Sequence, residues 1–526
     1  MMSFSGRRVI LACILAVASL VAVVAPGSAS AASDLNKQCE GTNIKGHGSS
    51  FQAPILVKWA VDFNKVGGVA NKNAKACGGS QGSKGEPKVE YLHEGANSGS
   101  GACLHGMGAE SKEAVKFAEF PYCGTDEAPN PQQKKEIEEH KSLVEGSEPE
   151  ALETIPVVQG AVAVIVHLPN GCLASSEVKV GTEIKKLGRL VLDNKTVEGV
   201  YKGSIKTWNE LLANQEKEGT SANKGAGKDA IKCENEEEKN KTITPVVRLD
   251  HSGTTHIFKS YLEQVNSTEE IEMETYPEEI GGKKTGCGAE LKEAPEKWSE
   301  VAEACQNQRW PTAAHIVRGT ESGNPGVVKR VNEVASSIGY ADLAVAREFK
   351  FFSSKSEGGG ENASGEQQPK FWAEVQDTKN VETKGFSDPS TDGDTEALAN
   401  SHCKVTKYTE VAGKKFPPAS TRDPWNEAKA ELVEKEYNIC GLTYDLSFRQ
   451  YGFFPGLEEA TLGKGEATTV HDFLLWALNT KTNGGGALVK ESDYEKLPSN
   501  IIEEAEDGVE ELGWKLPGKE DAKEKT

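Results

Sequence analysis

The sequence predicts an α/β chain with mostly parallel sheets. Residues 157–168 (VVQGAVAVIVHL) form a nearly continuous run of β-branched residues and alanine, which is typical of a strand buried on both faces. Residues 243–248 (ITPVVR) predict a second, shorter strand. Each run is followed by a loop and then by apolar residues at helical spacing. This strand-loop-helix order favours parallel strands covered by helices.

The N-terminal residues 1–31 predict a cleaved export signal. Arg7 and Arg8 precede an uncharged apolar run over residues 9–24, and Ala29-Ser30-Ala31 follows the small-x-small pattern of a cleavage site. The alternative is a membrane anchor, but the run is shorter than the ~20 residues that a spanning helix requires. We therefore expect a secreted or extracytoplasmic protein of the cell envelope.

The charge of the chain excludes polyanionic partners. Removing the signal takes away two arginines and no acidic residue, so the formal net charge falls from −20 to −22. Such a chain is not expected to bind nucleic acid or an anionic membrane surface. An anionic ligand would be repelled by the whole protein. A local, preorganised site would therefore have to supply all the attraction.

The cysteines predict disulfides. Of the eleven, Cys13 lies in the signal, and an even number of ten remains, which is typical of an exported disulfide-bonded protein. No Cys-x-x-Cys spacing occurs, so no cysteine-bound metal is predicted. Neighbours in sequence supply three candidate pairs, although the sequence leaves the connectivity open: Cys103–Cys123, Cys287–Cys305 and Cys403–Cys440.

Three polar stretches interrupt the apolar pattern, at residues 214–241, 353–401 and 517–526. Their content of charged residues, glycine and serine predicts surface insertions or disordered loops without cores of their own. The roughly 495 residues that follow the signal predict two or more compact units.

The segment 46–54 (GHGSSFQAP) is a first candidate anion site. Two glycines and two hydroxyl residues precede a helix whose apolar face we expect at Ile55, Leu56, Trp59, Ala60 and Phe63. Unpaired backbone N–H groups at a helix N-terminus attract anions. The alternative is that a serine here only caps the helix.

The segment 248–254 (RLDHSGT) directly follows a predicted strand and is the second candidate. The next helix would bury Ile257, Phe258, Tyr261, Leu262 and Val265. Its start carries Ser252, Gly253 and Thr254, and the Arg248 guanidinium matches two oxygens of a tetrahedral oxyanion. Asp250 would hold Arg248 in place. The alternative is a capped helix beside a surface Arg–Asp pair of little energetic value.

Segment 124–129 (GTDEAP) is the third candidate, followed by Asn130-Pro131 as a helix start. A carboxylate such as Asp126 repels an anion unless the anion donates a proton to it. Hydrogen phosphate carries such a proton at neutral pH and sulfate does not, so Asp126 would favour phosphate. The alternative is an ordinary Thr125-Asp126 turn.

Segment 97–101 (NSGSG) is either a flexible linker or a further hydroxyl-bearing loop at a helix start.

Taken in order, these segments resemble the phosphate-binding proteins of Pst-type ABC transporters. Residues 46–59 resemble that family's opening "GAGATFPAP…KWA" motif, and residues 248–254 keep its R-x-D-x-S-G-T pattern in full. The longest local similarity is residues 191–210 (VLDNKTVEGVYKGSIKTWNE) to "LDGKTLADIYLGKIKTWND". Further similar segments are 98–101, the "SDAP"-like 125–129, 337–340 and 493–498.

The resemblance implies a set of phosphate-binding residues, with no catalytic residue, metal or cofactor: Ser50, Phe51, Ser98, Asp126, Arg248, Ser252, Gly253 and Thr254. Asp250 would support Arg248. In the glycine-serine loop Ser98 is preferred, and Ser100 stays an alternative. The chain departs from the family in its greater length and in its many cysteines. Ser50 stands where the family often has threonine, which keeps the hydroxyl.

The resemblance also implies a two-lobed, periplasmic-binding-protein-like (Venus flytrap) fold with the ligand in the cleft. Lobe I would comprise residues 32–154 and 440–526, and lobe II residues 155–439 with the polar insertions. The chain would cross near 155–157 and return near 441–443. The implied partners are inorganic phosphate and the membrane permease of an ABC transporter, and the protein would be a monomer.

The sequence leaves three rival functions open. A secreted phosphatase-like enzyme is disfavoured because the sequence shows no serine nucleophile elbow, His-Glu-x-x-His motif or P-loop. Among the ten histidines, only His251, beside the second candidate segment, is singled out as a candidate catalytic residue, and we expect it at the surface. A cell-surface protein that no longer serves transport is the second rival. A receptor for another oxyanion, such as sulfate, is the third.

Overall fold

The computed structural model describes most of the chain between residues 35 and 515. The described residues are 35, 38–64, 77, 87–110, 116–139, 150–180, 183–217, 230–276, 279–280, 283–284, 290–302, 304–351, 369–377, 386–390, 425, 432, 437–454, 463–481 and 484–515. The expected signal (1–31) and the polar stretch 517–526 lie outside them. Within these ranges no helix combines the length and the apolar character needed to span a membrane.

The described helices are α1 (Ala53–Phe63), α2 (Ser100–Met107), α3 (Pro131–Glu138), α4 (Asn194–Lys202), α5 (Trp208–Lys217), α6 (Gly253–Val265), α7 (Asn324–Glu333), α8 (Leu343–Glu348), α9 (Lys464–Leu478) and α10 (Ser499–Glu510). The described strands are β1 (Ile44–Gly48), β2 (Val89–Leu92), β3 (Tyr122–Thr125), β4 (Leu152–His167), β5 (Cys172–Ala174), β6 (Ser176–Val180), β7 (Glu183–Leu187), β8 (Val191–Leu192), β9 (Ile231–Cys233), β10 (Thr244–Val247), β11 (Ile271–Met273), β12 (Glu279–Ile280), β13 (Lys283–Lys284), β14 (Ala294–Glu296), β15 (Val317–Arg318), β16 (Ser337–Asp342), β17 (Lys370–Trp372), β18 (Glu374–Gln376), β19 (Phe386–Ser387), β20 (Cys440–Phe448) and β21 (Tyr494–Glu495).

One large sheet runs through the molecule in the order β15-β10-β16-β4-β20-β3-β1-β2, and β17 and β21 also pair with β4. At one end β1 pairs in parallel with β2 and β3, and at the other end β10 pairs in parallel with β15 and β16. The central strands β4 and β20 run antiparallel to each other and to their outer neighbours. The prediction of mostly parallel strands is therefore correct for both ends and wrong for the centre, where the chain crosses between the ends and returns.

The central strand β4 contributes to both ends of the sheet. Its residues 152–161 pair with β20, and its residues 162–167 pair with β16. All its residues except His167 are buried, which confirms the strand predicted at residues 157–168. Helices α1 and α9 contact one end of the sheet, and α6 and α7 contact the other. This two-lobed α/β arrangement is the predicted fold class, and the predicted domain boundaries remain predictions.

The local elements agree with the apolar patterns. The predicted buried face of α1 is confirmed, since Ile55, Leu56, Trp59, Ala60 and Phe63 are all buried. In α6, Ile257, Phe258, Tyr261 and Leu262 are buried as predicted. Helix α3 begins with a capping box in which Asn130 and Gln133 bond reciprocally, at the predicted helix start.

Two of the polar stretches contain ordered structure, contrary to the prediction. In the stretch 214–241, β9 pairs with β5 and is joined to it by the Cys172–Cys233 disulfide. In the stretch 353–401, β17 joins the large sheet and buries Phe371 and Trp372. A few apolar residues within a polar stretch are enough to cover a strand, and composition averaged over the stretch hides them.

Disulfides join Cys39 to Cys77, Cys103 to Cys123, and Cys172 to Cys233. The predicted Cys103–Cys123 pair is therefore confirmed, and it ties α2 to β3. Cys305 and Cys440 are also disulfide-bonded. Their predicted partners, Cys287 and Cys403, lie outside the described residues, so those two pairings stay predictions.

Candidate functional site

Four loops meet between the two ends of the large sheet. The loops after β1, β3 and β10 leave the carboxyl ends of strands, and a fourth loop, residues 97–101, leads into α2. Strand β10 runs antiparallel to β1 and β3, and the carboxyl ends of the two sets of strands meet at the contact between the lobes. Ligands of α/β proteins bind outside the carboxyl ends of strands. The two lobes touch there, because Ser100 Oγ accepts hydrogen bonds from the backbone N–H of Asp126 (3.0 Å) and of Gly253 (3.1 Å).

Arg248 is buried at this contact between the lobes, and its side chain is 2% exposed. Its Nε and Nη2 donate to the two carboxylate oxygens of Asp250, at 2.9 and 2.5 Å. Its Nη1 donates to Thr254 Oγ1 at 3.1 Å. The predicted Arg248–Asp250 pair is confirmed, and it is not a surface pair. Asp250 also accepts from the backbone N–H of Gly323 at 3.1 Å.

The start of α6 lies against the other lobe. Ser252 is the N-cap residue, and its Oγ accepts from the backbone N–H of Thr255 at 3.2 Å. A Cβ on Gly253 would lie 2.5 Å from Ser100 Oγ and 2.6 Å from Asp126 atoms. Only glycine allows this approach, because real Cβ contacts are longer.

Ser49 and Ser50 have different roles at the start of α1. The Oγ of Ser49 accepts from the backbone N–H of Phe51 (3.0 Å) and of Gln52 (3.2 Å), and it donates to the Asp126 carboxylate. Ser49 therefore closes the turn that precedes α1. The N-cap residue is Gln52, which has no side-chain cap bond, so the alternative of a serine N-cap is wrong. The Oγ of Ser50 instead reaches the other lobe, where it accepts from the backbone N–H of Asn324 at 2.9 Å.

The glycine-serine loop is a helix start and not a linker. Helix α2 begins at Ser100, after Gly99 in a left-handed conformation with φ of 94°. Ser100 Oγ already serves as an acceptor for both lobes. The hydroxyl of Ser98 is buried and has no hydrogen-bond partner among the described residues.

Two site residues were missed by the sequence analysis: Gly323 and Asn324, at the start of α7. Asn324 Nδ2 donates to Thr254 Oγ1 at 3.2 Å, in addition to the backbone bond to Ser50. Gly323 has a φ of 89°, and a Cβ on it would lie 2.7 Å from Ser98 Oγ. The signal was present, since Gly323-Asn324-Pro325 follows a strand and has the glycine and proline typical of a helix start.

Asp126 is 3% exposed, and its backbone N–H shares the Ser100 Oγ acceptor with that of Gly253 from the other lobe. Burial raises its pKa to about 7, against the opposing effects of the Ser49 hydrogen bond and the Arg248 charge. Near neutral pH this carboxyl is therefore divided between its protonated and ionised forms. It can either donate a hydrogen bond to a ligand or accept one from it.

His251 is buried, so the expectation of a surface histidine is wrong. It is 4% exposed, and its Nε2 lies 2.9 Å from a carboxylate oxygen of Glu127. Burial disfavours the charged ring, but the Glu127 and Glu110 carboxylates outweigh burial and raise the pKa of His251. The ring is covered by the other lobe, since a Cβ on Gly101 would lie 2.8 Å from His251 Cβ.

The arrangement suits a small tetrahedral oxyanion. It combines hydroxyls, a buried guanidinium, backbone N–H groups at helix starts and one titratable carboxyl, all within a closed contact between lobes. Charged donors strengthen hydrogen bonds to anionic oxygen, and a preorganised site loses little free energy in reorganising. Of the residues predicted from sequence, Ser50, Ser98, Asp126, Arg248, Ser252, Gly253 and Thr254 are brought together here, with Phe51 adjoining Ser49.

Comparisons with known proteins identify the superfamily to which the chain belongs. Residues 132–400, slightly more than half of the chain, match the family model of the PBP superfamily domain. The phosphate-binding protein PstS of Pasteurella multocida is 23% identical over 309 residues, 59% of each chain. That of Methanocaldococcus jannaschii is 25% identical over 312 residues, 58% of this chain and 55% of the relative. The matched region thus spans less than two thirds of either relative.

A solved structure described as a high-affinity periplasmic phosphate-binding protein bound with phosphate is also similar. It is 16% identical and covers 88% of this chain and 92% of that one, with a TM-score of 0.48. Since the family model matches more than half of the sequence, the chain belongs to the periplasmic-binding-protein (PBP) superfamily.

Proposed function

We propose that the protein is a non-enzymatic phosphate receptor, the substrate-binding component of a phosphate ABC transporter. The observation that carries the proposal is the contact between lobes at which Arg248, Thr254, Ser50 and Asp126 meet. The curated relatives are named phosphate-binding proteins, which supports the same ligand.

The proposed ligands are Ser50, Phe51, Ser98, Asp126, Arg248, Ser252, Gly253 and Thr254, with Asp250 orienting Arg248. The unpartnered Ser98 hydroxyl favours Ser98 over Ser100, whose oxygen is engaged by two backbone N–H groups. The N–H of Phe51 is bonded to Ser49 and would have to turn to the ligand. Asn324 and Gly323 join the proposed set. Each charge-assisted hydrogen bond contributes about 1.5–3 kcal/mol.

Selectivity for phosphate over sulfate would come from Asp126. An ionised Asp126 accepts a proton from hydrogen phosphate, whereas sulfate has none to donate and leaves two acceptors facing each other. In the free protein, this buried carboxylate accepts a hydrogen bond from the Ser49 hydroxyl.

Ligand uptake would proceed by a change in the angle between the lobes. The strands β4 and β20 connect the two ends of the sheet and are the natural hinge. A ligand that contacts both lobes binds the closed form better and shifts the population towards it.

The remaining parts of the proposal concern context. We propose that the protein acts as a monomer outside the cytoplasm and delivers phosphate to a membrane permease, with lobe boundaries near residues 154 and 440. The apolar run at residues 9–24 and the disulfides support export. A surface protein of this fold without a transporter is the alternative, and it would also bind phosphate.

Isothermal titration calorimetry of the purified protein, refolded from denaturant to remove bound ligand, tests the proposal. We expect one phosphate per chain and, well above pH 7, where Asp126 is ionised, no measurable heat with sulfate. Failure to bind phosphate would contradict the receptor function. Hydrolysis of p-nitrophenyl phosphate by the same preparation would instead revive the phosphatase alternative.

A further inference from the structure

Beside the proposed phosphate site, two histidines and a glutamate face one another: His105, Glu110 and His251. One ring nitrogen of each histidine and one carboxylate oxygen of Glu110 all lie within 4.8 Å of one another. The Nε2 of His105 is 3.6 Å from Oε2 of Glu110, which is too long for a good hydrogen bond. Two imidazoles and one carboxylate form a typical donor set for Zn²⁺.

Both histidines have a buried ring nitrogen without a partner. Among the described residues, neither Nε2 of His105 nor Nδ1 of His251 makes a hydrogen bond. The side chain of His251 is only 2% exposed, so water does not readily replace the missing partner. A buried polar atom without a partner destabilises the protein, and a bound cation would remove that penalty.

Neighbouring residues orient these groups. His251 Nε2 bonds to Glu127, whose carboxylate also accepts from Asn307 Nδ2 at 3.0 Å and from the backbone N–H of Ala304. A neutral histidine that donates one N–H to a buried carboxylate presents the lone pair of its other nitrogen, as metal-binding histidines commonly do, and a bound metal ion would displace the second proton of the charged ring.

A hydrogen bond from Gln133 orients the Glu110 carboxylate. Its Oε1 accepts from Gln133 Nε2 at 2.9 Å, which leaves Oε2 beside His105. The Cys305 sulfur is 3.4 Å from Oε2, but it is in a disulfide and is therefore not a thiolate ligand.

We propose that His105, Glu110 and His251 bind one Zn²⁺, with water in the fourth position, and that the ion bridges the two lobes. His105 lies in α2 and Glu110 shortly after it, in lobe I, whereas His251 precedes α6 in lobe II. Ligand atoms of a tetrahedral zinc lie ~3.3 Å apart at bonds of about 2.05 Å, so the cluster needs only a small contraction.

Zinc would favour the closed form of the receptor, because its ligands come from both lobes. His251 stands between Asp250 and Ser252 of the proposed phosphate site, so both ligands stabilise the same arrangement. Coupling is reciprocal, and zinc is expected to raise phosphate affinity by about 5–150-fold. This coupling rests on the proposed function, whereas zinc binding itself does not.

The first experiment measures Zn²⁺ affinity by chelator competition in phosphate-free buffer. The purified protein and a His93→Ala control, which alters a histidine outside the cluster, are expected to bind one Zn²⁺ per chain. His105→Ala and Glu110→Gln are expected to weaken that affinity by about 100-fold. Urea midpoints check that both variants fold. Equal zinc affinity in the wild type and in both folded variants would overturn the proposal.

The second experiment measures phosphate affinity by calorimetry with Zn²⁺ and with EDTA. Tighter phosphate binding with zinc in the wild type, but not in His105→Ala, supports the bridging role. Equal phosphate affinity in zinc and EDTA overturns the coupling. Absence of phosphate binding in both buffers would contradict both the proposed function and the coupling. The first experiment tests the metal site independently of phosphate.

Discussion

Two buried arginines in this protein have the same exposure and different partners. The Arg189 side chain is 2% exposed and pairs with two carboxylates, Glu374 at 2.7 Å and Asp388. Arg248 is equally buried but pairs with one carboxylate, Asp250, and gives a further hydrogen bond to a neutral hydroxyl. The two clusters therefore differ in charge balance and not in burial.

The difference separates a structural cation, Arg189, from the proposed ligand-binding one, Arg248. Arg189 precedes β8, Glu374 lies in β18 and Asp388 follows β19, so this cluster ties together one small sheet. With one guanidinium and two carboxylates, this cluster has a net negative charge and would repel a further anion. Around Arg248, a single carboxylate balances the charge, and the Thr254 hydroxyl that accepts from Nη1 can be replaced by a ligand oxygen. For these two arginines, the number of carboxylates and the nature of the other partners together indicate which one is able to hold an anion.

The largest expected effect is on binding, from Arg248→Met. Losing two charge-assisted hydrogen bonds should cost about 3–6 kcal/mol, which lowers phosphate affinity by roughly 10²–10⁴-fold. Calorimetry measures the loss, and the urea midpoint shows that the variant folds. Wild-type affinity in a folded Arg248→Met protein would remove Arg248 from the site.

Arg189→Met should produce the opposite pattern. It leaves Glu374 and Asp388 buried without their cation, which is expected to lower the free energy of unfolding by about 3–5 kcal/mol. Phosphate affinity of the folded fraction should stay within a few-fold of wild type. A large loss of affinity with unchanged stability would erase the contrast between the two arginines.

Asp126→Asn sharpens the role of the titratable carboxyl. Because burial raises its pKa to about 7, the stability contributed by Asp126 in the free protein is fully present below its ordinary pKa of 3.8. It is lost as the pH rises through about 7. The free energy of unfolding measured in urea should therefore fall over this range in the wild type but not in Asp126→Asn.

Anion selectivity should follow the same titration. Above pH about 7 the wild type is expected to reject sulfate, whereas Asp126→Asn should bind sulfate about 30-fold better than the wild type does, equivalent to ~2 kcal/mol. Below that pH the wild-type selectivity should shrink, because protonated Asp126 donates to either anion. Calorimetry with both anions at two pH values measures this, and pH-independent selectivity in the wild type would exclude Asp126 as its source.

The smallest expected effect comes from Gly323→Ala. The left-handed φ of 89° and a Cβ 2.7 Å from Ser98 Oγ should hinder closure and weaken phosphate binding by about 10-fold. Gly171→Ala is the matched control, since its φ is 72° but its nearest neighbour is 3.5 Å away. Wild-type phosphate affinity in both variants would show that the close approach of Gly323 to Ser98 is not needed for binding.

The amino-acid sequence by itself determined the elements whose information is local. The strands β4 and β10, the apolar faces of α1 and α6 and the capping box of α3 follow from residues within about a dozen positions of one another. The Arg248–Asp250 pair was likewise predictable, because its partners are two residues apart. Periodicity and capping act over such short distances.

The tertiary structure alone decided what joins distant parts of the chain. Ser50 meets Asn324 across 274 residues, and His251 is buried because Glu127 and Gly101 from the other lobe cover it. The same holds for β17, whose polar surroundings in sequence hide its place on β4. Local patterns record which face of an element is apolar, but not which distant surface will cover it, and burial and pKa depend on that second surface.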